Sequence, residues 1–389
     1  MNRPPVEVAD LLRAQGDRFI GQNGWLSYQQ LSVLRAITRC RTAALGGHID
    51  KCSACDHQAI SYNSCRNRHC PKCQAQARQR WIAAREKELL DVPYFHVVFT
   101  IPNELNALCL RNAQVLYDLL FRASSATMLE VAANPKRLGA QIGFISILHT
   151  WGQNLLLHPH VHCVVPAGGF SANHHRWIRP KYAFFLPVAV LSAVFRAKFV
   201  QGLRRAFRRG ELVFSGAISP LADSGRFAAF LDSLFRQKWV VYAKPAFGSP
   251  RLVLRYLGRY THRVAISNHR LLAFDGEQVT FRWKDYAHGN KQRRMTVSGI
   301  EFLRRFSQHI LPRGFVRIRQ FGFLTNRRRS EFLALARRLL SAEAAPAEAV
   351  LPSSAVPTWR CPHCHGEMRI GPNLSARQLA ARCRPLDSS

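Results

Sequence analysis

HPHVHCVVPAGG, residues 158–169, sets imidazoles at every second position and runs on into β-branched residues and a glycine pair. Side chains alternate across a strand, so a strand over VHCVV sends His160 and His162 to one face and Val161 and Cys163 to the other. The apolar face belongs to a core. The other holds two imidazoles side by side, where they can grip one metal ion. An isolated His-x-His pair is better explained as hydrogen-bonded strand histidines, so the rest of the chain must give a reason for the metal.

The flanks extend the sheet. IGFISILHTW upstream and YFHVVFTIP after Val92-Pro93 are rich in β-branched and aromatic residues, as strands are. Between them, ELNALCLRNAQVLYDLLFRASSATMLEVAA carries helical periodicity. Downstream, FLPVAVLSAVFRAKFVQGLRRAF and GRFAAFLDSLFRQ read as helices, and KWVVYAKP as a strand. LLAFDGEQVTFRWKDY is a hairpin turning at Asp275-Gly276, and RMTVS is a further strand. SGIEFLRRFSQHIL and RSEFLALARRLLSA are helical, with the strand GFVRIRQFGF between them. The mixture lacks βαβ alternation and any Gly-rich phosphate loop, which excludes a nucleotide cofactor site and points to an α+β class, a largely antiparallel sheet with flanking helices.

Composition narrows the partner. Lys and Arg number 56 against 23 Asp and Glu, a formal charge of +33, and most of the excess is arginine in runs such as GLRRAFRRG and NRRRSEF. Guanidinium forks pair well with phosphate oxygens, so the expected partner is nucleic acid. No apolar run of about 18 residues occurs, and the opening MNRPPVEVADLLRAQ is charged where a signal peptide is apolar. No membrane partner is expected, and the location expected is cytoplasmic, associated with the nucleoid.

Eleven cysteines in such a chain argue for metal rather than disulfides. Cys52-x2-Cys55 and Cys70-x2-Cys73 are two knuckles whose spacing suits one tetrahedral zinc site. Cys40, His48, Cys65 and His69 are interleaved with them and suffice for a second site crossing the first, giving one or two zinc ions. Cys361 and Cys364, in CPHCHG, form a third knuckle and a possible third zinc site. Cys109 and Cys163 read as small buried hydrophobes. These landmarks divide the chain into a helical and zinc-binding domain at 1–90, a main domain at 91–340, an Ala/Pro/Ser linker at 341–358 and a tail with its knuckle at 359–389.

A reactive partner for the histidine pair lies in LRYLGRYTHRVAISNHR, residues 254–270. Tyr256 and Tyr260 are four apart and share one helix face, with Arg255, Arg259 and Arg263 around them. A phenol is a weak nucleophile at neutral pH, but one set against a metal-polarised phosphodiester can attack phosphorus.

His160-Val161-His162, followed by the Y-x3-Y pair in YLGRYTHRVAISN and preceded by YNSCRNRHCPKCQ, resembles the HUH-endonuclease superfamily, and within it the transposases of the insertion-sequence 91 family. LGGH, YFHVVFTIP and LHTWGQNL accompany it in order, and the likeness spans Cys40 to Phe323. The resemblance implies a ferredoxin-like or RRM-like nuclease sheet and a small zinc-ribbon-like N-terminal domain. It also implies rolling-circle-like transposition through single-stranded DNA, with a 5′-phosphotyrosine link that allows rejoining without ATP. His160 and His162 match the metal ligands and Tyr256 and Tyr260 the nucleophiles. His149 and Gln153 are candidates for a third ligand. The resemblance brings magnesium or manganese; imidazole chemistry alone favours zinc or manganese. Arg66, Arg68 and Lys72, around the knuckles, are expected to grip a terminal DNA hairpin or its duplex flank. Two rivals share parts of the pattern: a replication initiator or relaxase with the same chemistry, and a zinc-dependent DNA-binding regulator whose histidine pair is structural.

Overall fold

A computed structural model describes residues 4–181, 185–247, 252–253, 258, 265–286, 288–341 and 359–382. The chain divides into two compact units, each assembled from separated segments. One, here the zinc unit, comprises residues 1–76, 266–307 and 346–389; the other, the sheet unit, comprises 77–265 and 308–345. The division therefore differs from the continuous domains 1–90 and 91–340 expected from the sequence, because strands and helices from the middle and end of the chain complete the N-terminal unit.

The zinc unit begins with helix α1 (Val8–Gln22), which buries Val8, Leu11, Leu12 and Phe19 at helical spacing. Helix α2 (Tyr28–Arg39) starts on a capping box: Ser27 Oγ accepts from the Gln30 amide, and Gln30 Oε1 accepts from the Ser27 amide. Strands β1 (Gly47–Cys52) and β2 (Gln58–Tyr62) form an antiparallel hairpin, and helix α3 (Gln74–Glu86) follows in the sequence, most of it in the sheet unit.

The sheet unit is built on β3 (Tyr94–Thr100), which leads to α4 (Asn106–Arg111) and the long α5 (Ala113–Ala133). Strands β4 (Gly143–Trp151) and β5 (Leu157–Pro166) come next, then the short pair β6 (Gly169–Phe170) and β7 (Trp177–Ile178). The glycine pair that ends the quoted stretch has a steric cause. Gly168 has φ +127°, and a Cβ there would stand 2.4 Å from the Ile178 carbonyl; one on Gly169 would stand 2.4 Å from the Gln141 carbonyl. Helices α6 (Val188–Arg208) and α7 (Ser224–Arg236), the latter capped by Asp223 on the Arg226 amide, precede β8 (Val241–Phe247).

The chain then returns to the zinc unit with β9 (Leu271–Phe274), β10 (Gln278–Asp285), β11 (Lys291–Ser298) and α8 (Gly299–Ser307). The three strands form an antiparallel sheet in the order β11-β10-β9, and the turn between β9 and β10 falls at Asp275-Gly276 as the sequence predicts. Helix α8 packs on α1. Its first residue leaves room for a neighbour, since a Cβ on Gly299 would stand 2.2 Å from Gln15 Oε1. Strand β12 (Ile318–Gly322) and helix α9 (Arg329–Ser341) return to the sheet unit. Strand β13 (Met368–Leu374) and helix α10 (Ala376–Arg382) end the described chain, and β13 pairs antiparallel with β1.

The sheet of the second unit has the order β12-β4-β5-β3-β8, and every pairing in it is antiparallel. The α+β class expected from the sequence is the class observed. One face, carrying Phe99, Phe144, Val161, Cys163 and Val165, packs on α5 and α6 through Phe121, Phe195 and Phe199. Burying each such side chain contributes roughly 1.5–3 kcal/mol. The opposite face carries Tyr94, Ile147 and Val164 against Leu333, Ala336 and Leu340 of α9. It is on this second face that the histidines stand.

Candidate functional site

The period-two reading of VHCVV holds. Val161 and Cys163 are fully buried in the helix-covered core, and His160 and His162 share the other face. Register supplies the third imidazole. His149 of β4 lies directly across from His160 of β5, so its ring projects to the same face. The metal-binding atoms of His149, His160 and His162 all lie within 4.8 Å of one another. Gln153, the other candidate third ligand, sits in the turn between β4 and β5 rather than on the strand face.

All three rings are buried. Desolvation, the largest cause, pushes His160 down to about 3 and His162 well below the ordinary imidazole value, with neighbouring imidazoles adding to the effect. Neutral rings keep lone pairs for a cation at neutral pH, so the chemistry of the set fits a divalent ion. Backbone contact orients one of them: His160 Nδ1 lies 2.6 Å from the His158 carbonyl, which accepts its proton and leaves Nε2 as the ligand atom.

A fourth histidine, not foreseen from the sequence, stands behind this set. His96 of β3 places its Nε2 2.7 Å from His162 Nδ1, and the two rings stack with centroids 5.0 Å apart. Both rings are neutral, since burial brings His96 to about 4. One proton therefore serves the pair, and with His162 as donor its Nε2 lone pair faces away, as a ligand requires. Lys244 of β8, exposed and in register with His96, adds a cation on that face. The signal was present in YFHVVFT, where His96 occupies the third position of the strand and alternates with Phe95 and Val97, but only pairing with β5 gives it meaning. Behind β4, fully buried His309 accepts from Thr150 Oγ1 through Nδ1, at 3.1 Å, and donates through Nε2 to the Leu155 carbonyl, at 3.0 Å. It ties the β4 end to the turn before β5.

The cysteines assemble into two four-thiol clusters in the zinc unit, paired otherwise than spacing suggests. Cys40, Cys65, Cys70 and Cys73 form one; Cys52, Cys55, Cys361 and Cys364 form the other. The sulfur atoms stand 3.5 Å apart for Cys40 and Cys73, 3.6 Å for Cys65 and Cys73, 3.4 Å for Cys52 and Cys364 and 3.7 Å for Cys55 and Cys361. Four thiolates about 2.3 Å from a tetrahedral zinc stand about 3.8 Å apart, so both clusters fit that ion. Crowding splits the thiols of each cluster: Cys40, Cys65 and Cys70 hold Cys73 far below an ordinary thiol while Cys40, Cys65 and Cys73 push Cys70 far above it, and the Ala54 amide is the main cause that brings Cys52 to about 6 while Cys55 is pushed up to about 12.

These clusters correct three expectations. The knuckles at 52–55 and 70–73 do not share a site, and Cys361 and Cys364 complete the first of them instead of making a third. The cause is non-local, for β13 adds to β1 and brings the tail knuckle to the end of β1. His48 and His69 belong to neither cluster. His48 Nε2 lies 3.3 Å from Asp50, and His69 Nδ1 lies 3.2 Å from Asn67 Oδ1. Cys383 lies outside the described residues.

The DNA-grip candidates fare unequally. Arg66 and Arg68 are exposed, whereas Lys72 is largely buried in an ion pair with Glu7, at 2.5 Å. Apart from these candidates, two tryptophans that could offer a stacking face to bases are structural: Trp151 stacks on His149 with centroids 4.5 Å apart, and Trp177 is buried and donates to the Ala167 carbonyl. Tyr256, Tyr260, Arg255, Arg259 and Arg263 lie outside the described residues. Among the described residues, no helix is long and apolar enough to cross a membrane.

Two family profiles match the chain. One, described as "Putative transposase", covers residues 143–331; the other, described as "Transposase zinc-binding domain", covers residues 11–101. The "Putative transposase y4qJ" of Sinorhizobium fredii is 50% identical over 95% of this chain and 95% of its own length. The transposase for insertion sequence element IS801 of Pseudomonas savastanoi pv. phaseolicola is 28% identical over 80% of this chain and 74% of its own. A solved structure, the conjugative relaxase TrwC in complex with OriT DNA, aligns over 61% of this chain and 95% of that one, at 13% identity and a TM-score of 0.26. Cys361 and Cys364 lie outside both matched segments.

Proposed function

The chain belongs to the insertion-sequence 91 family of transposases, and from that premise we propose that it cuts and rejoins single-stranded DNA by tyrosine attack at the three-histidine face. The carrying observation is that His149, His160 and His162 gather their ligand atoms on one buried sheet face. A transposase acts on DNA, and the +33 charge suits that polyanion.

In this reading His149, His160 and His162 hold a magnesium or manganese ion. Such an ion, when bound, neutralises charge on the scissile phosphate and makes phosphorus easier to attack. His96 and the His158 carbonyl keep two of the rings turned for that task. Tyr256 or Tyr260 attacks phosphorus through Oη; the new P–O bond to tyrosine forms as the bond to the 3′ oxygen breaks. The phenolic proton leaves, and the departing strand ends in a 3′-hydroxyl. Because the 5′-phosphotyrosine conserves the bond energy, a 3′-hydroxyl at a new site can displace the tyrosine without ATP. Two tyrosines permit two successive transfers, as rolling-circle-like movement requires. The two four-cysteine clusters hold structural zinc, which stabilises the unit expected to bind the hairpin at an element end.

The test is incubation of the full chain with single-stranded DNA and manganese. The expected product is protein linked covalently to a 5′ end, retained in each single Tyr→Phe variant and lost in Y256F/Y260F. It is also lost in H160A/H162A. An adduct that survives the double phenylalanine variant overturns the tyrosine chemistry, and one that survives H160A/H162A overturns the metal site.

A further inference from the structure

The hairpin of β10 and β11 carries two different faces. Val279 and Phe281 are buried, and Trp283, Met295 and Val297 lie half-buried beside them. The alternate residues of β10, Gln278, Thr280, Arg282 and Lys284, point the other way, in register with Ser298, Thr296, Arg294 and Gln292 of β11. All eight are polar, three are cationic and none is acidic. The one carboxylate of the hairpin strands, Asp285, is buried at the end of β10 and engaged by His288 and Arg293.

Arg282 sits directly opposite Arg294 on this face. Like charges in that position are destabilising by a few tenths to about 1 kcal/mol. Arg282 is also held in place, donating to the His269 carbonyl at 2.8 Å, so its charge is fixed beside its neighbour. Thr280 and Thr296 hydrogen-bond across the strands at 2.8 Å and tie the ribbon together next to the arginines. Lysine and arginine often guard a sheet edge against aggregation, and β11 is an edge strand. That role does not account for Arg282 and Lys284, which stand on the central strand.

We propose that this outward face binds double-stranded DNA, the duplex arm of an element end, through phosphates and the major groove. The proposal rests on the transposase reading for its partner. The geometry suits it: a two-stranded ribbon enters a major groove about 12 Å wide, and eight-residue strands extend about 25 Å, most of a helical turn of ~34 Å. Phosphate between Arg282 and Arg294 would convert their repulsion into a shared contact.

The experiment measures binding of the zinc-loaded full chain to a mixed-sequence duplex of about two helical turns and to the same single strand, across a salt series. K284Q/R294Q is expected to weaken duplex binding and to make its salt slope shallower by about 0.9 for each phosphate contact removed. Single-strand affinity should stay as it was. T280K/T296K, which adds cations to the same face, should tighten duplex binding and steepen the slope, which covers the case in which the first variant folds poorly. Duplex affinity unmoved by both variants, or an equal loss for duplex and single strand, overturns the proposal. Cleavage of single-stranded DNA is scored on the same preparations, so a failure of strand transfer is seen separately from a failure of duplex binding.

Discussion

Replacing His96 with alanine tests how the three-histidine face is held. The side chain is buried, and its Nε2 lies 2.7 Å from His162 Nδ1. Removing such an outer partner of a ligand histidine typically costs 10- to 100-fold in metal affinity, or about 1.4–2.7 kcal/mol. The expectation for H96A is therefore manganese binding weaker by that range, because the His162 ring loses the acceptor that fixes its tautomer. A buried N–H left without its acceptor also costs roughly 1–3 kcal/mol of folding stability. H96Q separates the two effects, since its side-chain oxygen can accept the same proton and should restore most of the affinity. The assay is titration of zinc-loaded full chain with manganese, following free ion by electron paramagnetic resonance, with thermal melting in parallel. An H96A protein that melts normally and binds manganese with unchanged affinity refutes the reasoning.

Four further outcomes follow from the described contacts. In C361S/C364S, zinc per chain measured by elemental analysis should fall from two to one, while C40S/C73S should lose the other ion; a variant of the tail pair that keeps both ions contradicts the pairing. K72A leaves Glu7 as a buried, unpaired carboxylate, a loss of roughly 3–5 kcal/mol in urea unfolding, and should not change the salt slope of DNA binding. Buried His309 falls to about 4, through burial, from its free value near 6.5. The unfolded chain thus takes up the proton first, stability is full above pH 6.5, and it is lost as pH drops towards 4. Between pH 7 and 5 its share is about 2 kcal/mol at about 1.4 kcal/mol per pH unit, and H309Q should lose that much less over the same interval. Finally, F99A empties a fully buried ring position and should cost about 3–5 kcal/mol, read from the urea midpoint.

What was legible in the sequence is what local period records. His160 and His162 against Val161 and Cys163 needed only strand alternation, and His149 needed only the next strand. The helices followed from their apolar spacing, and the Asp275-Gly276 turn from its residues. Non-local pairing was not legible. Nothing near Cys52 and Cys55 says that their partners lie about 300 residues on, because those partners arrive through the β1–β13 register. His96 gains its meaning only across β5, and His48 is claimed by Asp50, which sequence spacing ranks no higher than a cysteine. Lys72 looked like a surface cation until Glu7 folded over it.

The cluster of Cys52, Cys55, Cys361 and Cys364 also sets a timetable. On the ribosome, the first knuckle emerges with its partners still untranslated, and at ~5–20 residues per second the wait is on the order of 15–60 s. During that interval the nascent thiols are open to oxidation or to the wrong ion, and the opening module stays unfinished however well its own residues fold. A chain terminated before Cys361 leaves Cys52 and Cys55 without the two thiols that complete their cluster.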